Sequence, residues 1–333
     1  MEWYLPIIWA GLIGTAVAMY VILDGFDLGL GILFPFAAND REREQMMSSV
    51  APFWDGNETW LVLGGGGLLV AFPLAYSIIM PAFYIPIIVM LLALVFRGVT
   101  FEFRGLAGGK GKWNFAFAAG STLAALCQGL VLGGMIQGVN VENGAFAGSA
   151  FDWATPFSVI CALGVTTGYA LLGATWMILK TEGAIAVRAR RQAFVLLPAV
   201  LIFMGIVSLW TPLLMPSIAE RWFSMPNIFY LWPVPVITAA VAYLGWLGLQ
   251  KGSDALPFVA TIGLFLLGYV GLAISWFPYL VPPSITVWEA AAVPGSQIFM
   301  LVGTLIMLPF VLGYTGMIYW LFRGKVKEGE SYH

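Results

Sequence analysis

Apolar residues along this chain fall in long unbroken blocks separated by short polar or turn-rich breaks, with no sign of the alternating segments of about ten residues that build a membrane β-barrel. Each block runs to roughly 20–28 residues, the length at which a helix rising about 1.5 Å per residue crosses some 30 Å of hydrocarbon. The blocks are Ile7–Phe36, Trp54–Leu74, Pro81–Phe103, Asn114–Gly138, Pro156–Lys180, Ala193–Trp210, Phe229–Leu249, Pro257–Phe277 and Ser296–Phe322, which predicts about nine transmembrane helices. Backbone N–H and C=O groups in lipid must then be satisfied within helices. The predicted class is therefore all-α integral membrane, with residues 1–333 forming a single polytopic domain. Pro81, Pro156 and Pro257 each stand where a helix can begin, a position at which the missing N–H costs nothing.

Composition agrees with the pattern. The chain is 10% charged and 60% hydrophobic, with a mean hydropathy of +0.90, whereas a soluble domain has roughly a quarter of its residues charged. The net charge of −2 says little; the placement of the charges says more. Arg41, Arg43, Arg97, Arg104, Lys110, Lys112, Lys180, Arg188, Arg190, Arg191, Lys251, Arg323, Lys325 and Lys327 all fall on one side of a nine-span topology, and Arg221 is the exception. By the positive-inside bias that side is cytoplasmic, so the amino terminus is expected outside and the carboxyl terminus in the cytoplasm. The opening Met1-Glu2-Trp3-Tyr4 lacks the basic region and cleavage site of a signal peptide, so the first span is expected to remain. No nucleic-acid partner is expected.

Against this background the acids inside spans stand out, because a carboxyl at membrane depth needs a partner, a wet cavity or a proton. In span one, Leu23-Asp24-Gly25-Phe26-Asp27-Leu28-Gly29 places Asp24 and Asp27 on neighbouring positions of one helix face, and Gly25 with Gly29 forms a GxxxG pair suited to close approach by another backbone. Span two opens with Trp54-Asp55-Gly56-Asn57-Glu58-Thr59-Trp60, again with acids at i and i+3. By helix rise, Asp27 lies roughly 13 Å above the cytoplasmic end of its span, Glu58 roughly 6–10 Å and Arg97 about 10 Å. These heights predict an inward-facing cluster of Asp24, Asp27, Asp55, Glu58 and Arg97 that opens to the cytoplasm: the acids form a proton path and Arg97 is their counter-charge. Asp55 and Glu58 equally suit a simple role at the amino-terminal end of their helix, and the whole cluster suits a purely structural ion pair.

Other polar residues carry weaker signals. Gln128 and Gln137 are read as hydrogen bonds between helices, with contact to a quinone or a water chain as the alternative. Trp3, Trp9, Trp210, Trp222, Trp232, Trp276 and Trp288 are read as an interfacial aromatic belt, Gly64-Gly65-Gly66-Gly67 as close helix packing, and Pro282–Pro294 as a segment on the outer surface. Cys127 and Cys161 lie inside spans without metal-like spacing and read as buried thiols. The one histidine, His333, is the last residue. Haem iron usually needs His, Cys or a His/Met pair, so this chain is not expected to ligate haem or any other metal.

Three runs, Leu23-Asp24-Gly25-Phe26-Asp27-Leu28-Gly29, Ala51-Pro52-x-Trp54-Asp55-Gly56-Asn57-Glu58-x-Trp60 and Phe96-Arg97-Gly98-Val99-x-Phe101-Glu102-Phe103-Arg104, resemble subunit II of cytochrome bd-type ubiquinol oxidases. The later Phe277-Pro278 and Trp288-Glu289-Ala290 segments and the length extend the likeness, and the Phe322-Arg323-Gly324-Lys325 tail looks closest to the cyanide-insensitive branch. The resemblance implies two four-helix bundles plus one peripheral helix in the bacterial inner membrane. It also implies a partner subunit I that carries haem b and haem d, or a b-type substitute, with the quinol site. The complex would oxidise quinol and reduce O2 to water, drawing protons from the cytoplasm. A bound quinone, a small single-helix subunit and membrane lipid are further implied companions. Asp55 corresponds to an acid of the family's proposed proton route, and Asp24 and Asp27 to the acid of its Asp-Gly-Phe-Asp motif. A proton-coupled secondary transporter and a pure scaffold subunit remain the rival readings.

Overall fold

A computed structural model describes residues 3–106 and 109–326; Met1, Glu2, Lys327 and His333, named above, lie outside them. The helices are α1 (Leu5–Leu33), α2 (Asp40–Ser48), α3 (Trp54–Ala71), α4 (Pro73–Ala82), α5 (Tyr84–Phe103), α6 (Gly111–Gln137), α7 (Pro156–Lys180), α8 (Gly183–Leu214), α9 (Pro216–Phe223), α10 (Asn227–Leu231), α11 (Pro233–Gln250), α12 (Leu256–Trp276) and α13 (Pro294–Leu321). Two small antiparallel hairpins pair β1 (Val141–Glu142) with β2 (Ala145–Phe146) and β3 (Tyr279–Val281) with β4 (Ile285–Thr286). Among the described residues, eight helices are long and apolar enough to cross a membrane: α1, α5, α6, α7, α8, α11 with the preceding turn, α12 and α13. Helix α3 is a further rod of 18 residues, about 27 Å long; Asp55, Glu58 and its five glycines dilute its apolar character.

Helices α1, α3, α5 and α6 form one bundle and α7, α8, α11 and α12 a second, joined where α1 and α6 pack on α7. Helix α13 stands outside both, leaning on α1 and α3, with no residue of its most apolar stretch buried. The join depends on glycine. A Cβ on Gly29 would collide with the Tyr169 carbonyl and lie 2.8 Å from the Gly173 nitrogen, so α1 and α7 touch backbone to backbone. Beside this contact the Phe26 ring stacks on Trp176 with centroids 4.2 Å apart.

Several boundaries differ from those the sequence suggests. Pro81 does not open a helix but lies in the last turn of α4, where its missing N–H removes the bond that would continue the rod. Span two instead breaks at Phe72, because Pro73 cannot donate and opens α4. Pro156 and Pro257 do lie in first helical turns. Helix α8 begins at Gly183, well before Ala193, so Arg188, Arg190 and Arg191 ride on helix and not on loop; alanine and arginine are good helix formers beyond the lipid. Trp9 is not a belt anchor: it is buried, and its indole N–H donates to the Gln297 carbonyl at 3.2 Å. The Pro282–Pro294 segment packs into the bundle end, with Val287 and Ala290 buried and the Ala292 N–H donating to the Ala71 carbonyl at 2.9 Å.

The end of the molecule that carries the basic residues is laced by ion pairs: Arg188 with Glu42 at 3.2 Å, Arg190 with Asp254 at 3.4 Å, and Lys110 with Glu44. Here the chain beyond α13 is tied down. The Lys180 ammonium donates to the carbonyls of Phe322 and Gly324 while lying over the Phe53 and Trp176 rings. The Val326 N–H donates to the Lys180 carbonyl at 2.8 Å, and Lys325 pairs with Asp254 at 2.7 Å.

Two consequences are measurable in the detergent-solubilised protein. Gly29→Leu should abolish the folded species in a thermal-unfolding assay, while Gly205→Ala, where a Cβ meets nothing within 4 Å, should leave it unchanged or stabilise it by up to about 1 kcal/mol. Lys180→Met removes two charge-assisted hydrogen bonds of about 1.5–3 kcal/mol each, so amide exchange over residues 319–326 should quicken by roughly tenfold or more.

Candidate functional site: one guanidinium among three carboxyls

Three helices deliver the charged groups to one point. Asp24 and Asp27 project from α1, Arg97 from α5 and Glu58 from the first turns of α3. The Arg97 guanidinium lies 2.7 Å from Asp24, 3.6 Å from Asp27 and 3.6 Å from Glu58. Arg97, Asp24 and Asp27 are fully enclosed, whereas the Glu58 side chain is 29% exposed. The site is therefore graded, with an accessible acid at its mouth and two closed acids behind the cation.

Local sequence explains how an arginine reaches this place. Gly98 leaves room for the Trp54 ring, whose nearest atom would lie 3.2 Å from a Cβ there, and that ring stacks flat on Phe101. The Arg97 guanidinium sits 5.9 Å from the Trp54 ring centroid, a cation–π distance. On its other side Gly120 lets α6 close on the Arg97 backbone, since a Cβ at Gly120 would lie 2.7 Å from the Ala93 carbonyl.

Neutral groups extend the cluster in two directions. The Asn57 amide donates to Asp27 at 2.8 Å and to the Leu23 carbonyl at 3.2 Å, and its oxygen accepts from the Tyr319 hydroxyl at 2.9 Å. On the other side Tyr20, one helical turn before Asp24, lies against its carboxyl. Gln128 donates to the Tyr20 oxygen at 2.8 Å and accepts from the Tyr169 hydroxyl at 2.6 Å. Asp24 is the carboxyl in closest contact with the guanidinium, while Asp27 Oδ1 meets no hydrogen-bond partner among the described residues.

Of the five residues expected to meet, the structure brings together Asp24, Asp27, Glu58 and Arg97. Asp55 stays exposed at the start of α3, about one turn from Glu58. Gln128 joins α1, α6 and α7, and Gln137 joins α6 to α7 through Thr155 at 2.8 Å and Ser158 at 2.9 Å. In the glycine run, Gly64 and Gly67 face Val17 and Ile13 of α1, while Gly65 and Gly66 meet nothing within 4 Å. Sequence reasoning missed Tyr20, Asn57, Tyr169 and Tyr319. Their signal was present, a hydroxyl or amide inside an apolar span whose polar tip needs a partner, but which partner depends on helix rotation. Among the described residues no three His, Cys, Asp or Glu side chains gather as a metal site.

The architecture and the site define a class: a multi-span helical membrane subunit that encloses acids around one arginine. The family model for "Cytochrome bd terminal oxidase subunit II" matches residues 5–322, and the chain belongs to that family, a component of a respiratory quinol oxidase of the bacterial inner membrane. It is 28% identical to "Cytochrome bd-I ubiquinol oxidase subunit 2" of Escherichia coli over 98% of this chain and 96% of the relative. It is 29% identical to "Cytochrome bd ubiquinol oxidase subunit 2" of Bacillus subtilis over 97% of each. Its fold is similar to a chain of the bd oxidase structure from Geobacillus thermodenitrificans, with a TM-score of 0.73 at 19% identity over 96% of this chain and 98% of that one.

Removing one member of a buried ion cluster while leaving its partners costs about 3–5 kcal/mol. Arg97→Gln should therefore lower the amount of assembled complex and its melting temperature sharply, and Arg97→Gln combined with Asp24→Asn should recover part of both.

Proposed function

We propose that this chain is the haem-free second subunit of a cytochrome bd-type terminal oxidase, which oxidises quinol and reduces O2 to water. In this reading the basic end faces the cytoplasm, the amino terminus faces the periplasm, and protons enter through Glu58 towards Asp24 and Asp27. One observation carries it: a single enclosed cation joins an accessible acid to two acids that solvent does not reach. A salt bridge needed only for rigidity requires one carboxylate for Arg97, and a third, part-exposed acid supplies an entrance. Asp55, exposed beside Glu58, serves as the first proton collector on the cytoplasmic face.

The haems belong to the partner, subunit I, in this proposal. Cys127 and Cys161 are buried free thiols, and the described residues offer no histidine for an axial bond to iron. The exposed apolar side chains near the mouth, Val62 of α3 and Val95 and Phe96 of α5, support a partner helix or lipid lying against that face.

The complex purified through a tag on this chain should show haem absorption bands and quinol-dependent O2 uptake; colourless, inactive material would reject the assignment. Within that complex, Glu58→Gln and Asp55→Asn should assemble normally, yet Glu58→Gln should cut O2 uptake by at least about tenfold, the scale of one lost proton-transfer group, and Asp55→Asn by less. Unchanged turnover in assembled Glu58→Gln would leave the scaffold reading standing.

A further inference from the structure

We propose that in the resting site Asp27 carries a proton, and that Asp24 alone supplies the negative charge that balances Arg97. The inference rests on the proton-entry reading and locates the proton that is already present before any enters.

Charge counting poses the problem. One guanidinium faces three carboxyls, so full ionisation would leave two negative charges unmatched beneath the lipid headgroups. Enclosed charge that is not matched is far costlier than a bound proton. Glu58 keeps contact with its surroundings, so its charge can be hydrated. The two enclosed acids must divide what remains, and arginine, which does not deprotonate in proteins, can match only one of them.

Geometry decides which. Asp24 holds the guanidinium at 2.7 Å and Asp27 stands off at 3.6 Å. The groups around Asp27 are Asn57 and Glu58 from α3, Arg97 from α5, Tyr319 from α13 by way of Asn57, and Asp24 on its own helix. Of these only the neutral Asn57 amide donates a hydrogen bond to it, and only to Oδ2; Oδ1 meets no donor at all. Asn57 cannot offer more, because its other amide contact is the Leu23 carbonyl and its oxygen is taken by Tyr319. The acid that stands 3.6 Å from the cation and takes its one hydrogen bond from a neutral amide loses less attraction on protonation than the acid at 2.7 Å, so the proton falls to Asp27.

The test is the infrared absorption of protonated carboxyl groups in the assembled complex, read as the shift of the C=O band between H2O and D2O. The wild-type complex should show such a band, Asp27→Asn should remove it and Asp27→Glu should move it in frequency, whereas Asp24→Glu, which keeps the negative charge beside Arg97, should leave it in place. A band that survives Asp27→Asn, or that moves with Asp24→Glu and not with Asp27→Glu, overturns the assignment. Assembly gives an independent check: Asp27→Asn replaces a neutral group by a neutral isostere and should accumulate within about twofold of wild type, whereas Asp24→Asn should not; equal loss in both would also overturn it. Turnover of Glu58→Gln tests the entry path separately, so the resting proton and the route can fail independently.

Discussion

An arginine beneath the membrane surface is the constraint on which this structure turns. Guanidinium keeps its proton, and enclosing such an ion carries an effective penalty of several kcal/mol even after relaxation. Only carboxyls at contact distance offset that, and they arrive from two other helices: Asp24 and Asp27 from α1 and Glu58 from α3. The pairing therefore does more than neutralise a charge. It fixes the rotation of α1 and α5 about their axes and the height of α3 between them, because a shift of one residue would turn the acids by about 100° away from the cation.

Packing then closes the site. The backbone contact between Gly29 and Gly173 brings the second bundle against the back of α1 at the level of the acids, and the Phe26–Trp176 stack fills the space beside it. Helix α13 contributes little buried surface, yet its Tyr319 holds the Asn57 amide that in turn holds Asp27. The Tyr319 ring stacks on Phe53 with centroids 4.5 Å apart, and Lys180, which anchors the tail beyond α13, lies over that same Phe53 ring. A contact at the rim of the protein thus bears on hydrogen bonding at its centre.

Membership in the subunit II family of cytochrome bd terminal oxidases is the ground for the use proposed above for the gradient from accessible to enclosed acid, the delivery of protons below the surface. The remaining tension, three acids against one base, is what the proposed proton on Asp27, the enclosed acid farther from the base, would resolve.

How much of this could be read from residues alone divides along a physical line. The helical class, the boundaries at Pro156 and Pro257, and the common height of Asp27, Glu58 and Arg97 follow from length and rise along single rods, which local chemistry governs. The family resemblance was likewise carried by short runs of adjacent residues. What one rod cannot specify is its rotation against another. Whether Asp55 or Asn57 turns inward, whether Trp9 faces lipid or Gln297, and whether Tyr20, Tyr169 and Tyr319 find Asp24, Gln128 and Asn57 all depend on packing between helices distant in sequence. In an apolar solvent that rewards every helix face almost equally, the direction is set by backbone contacts at glycine and by the few charges that must meet, and those exist only once the bundles have closed.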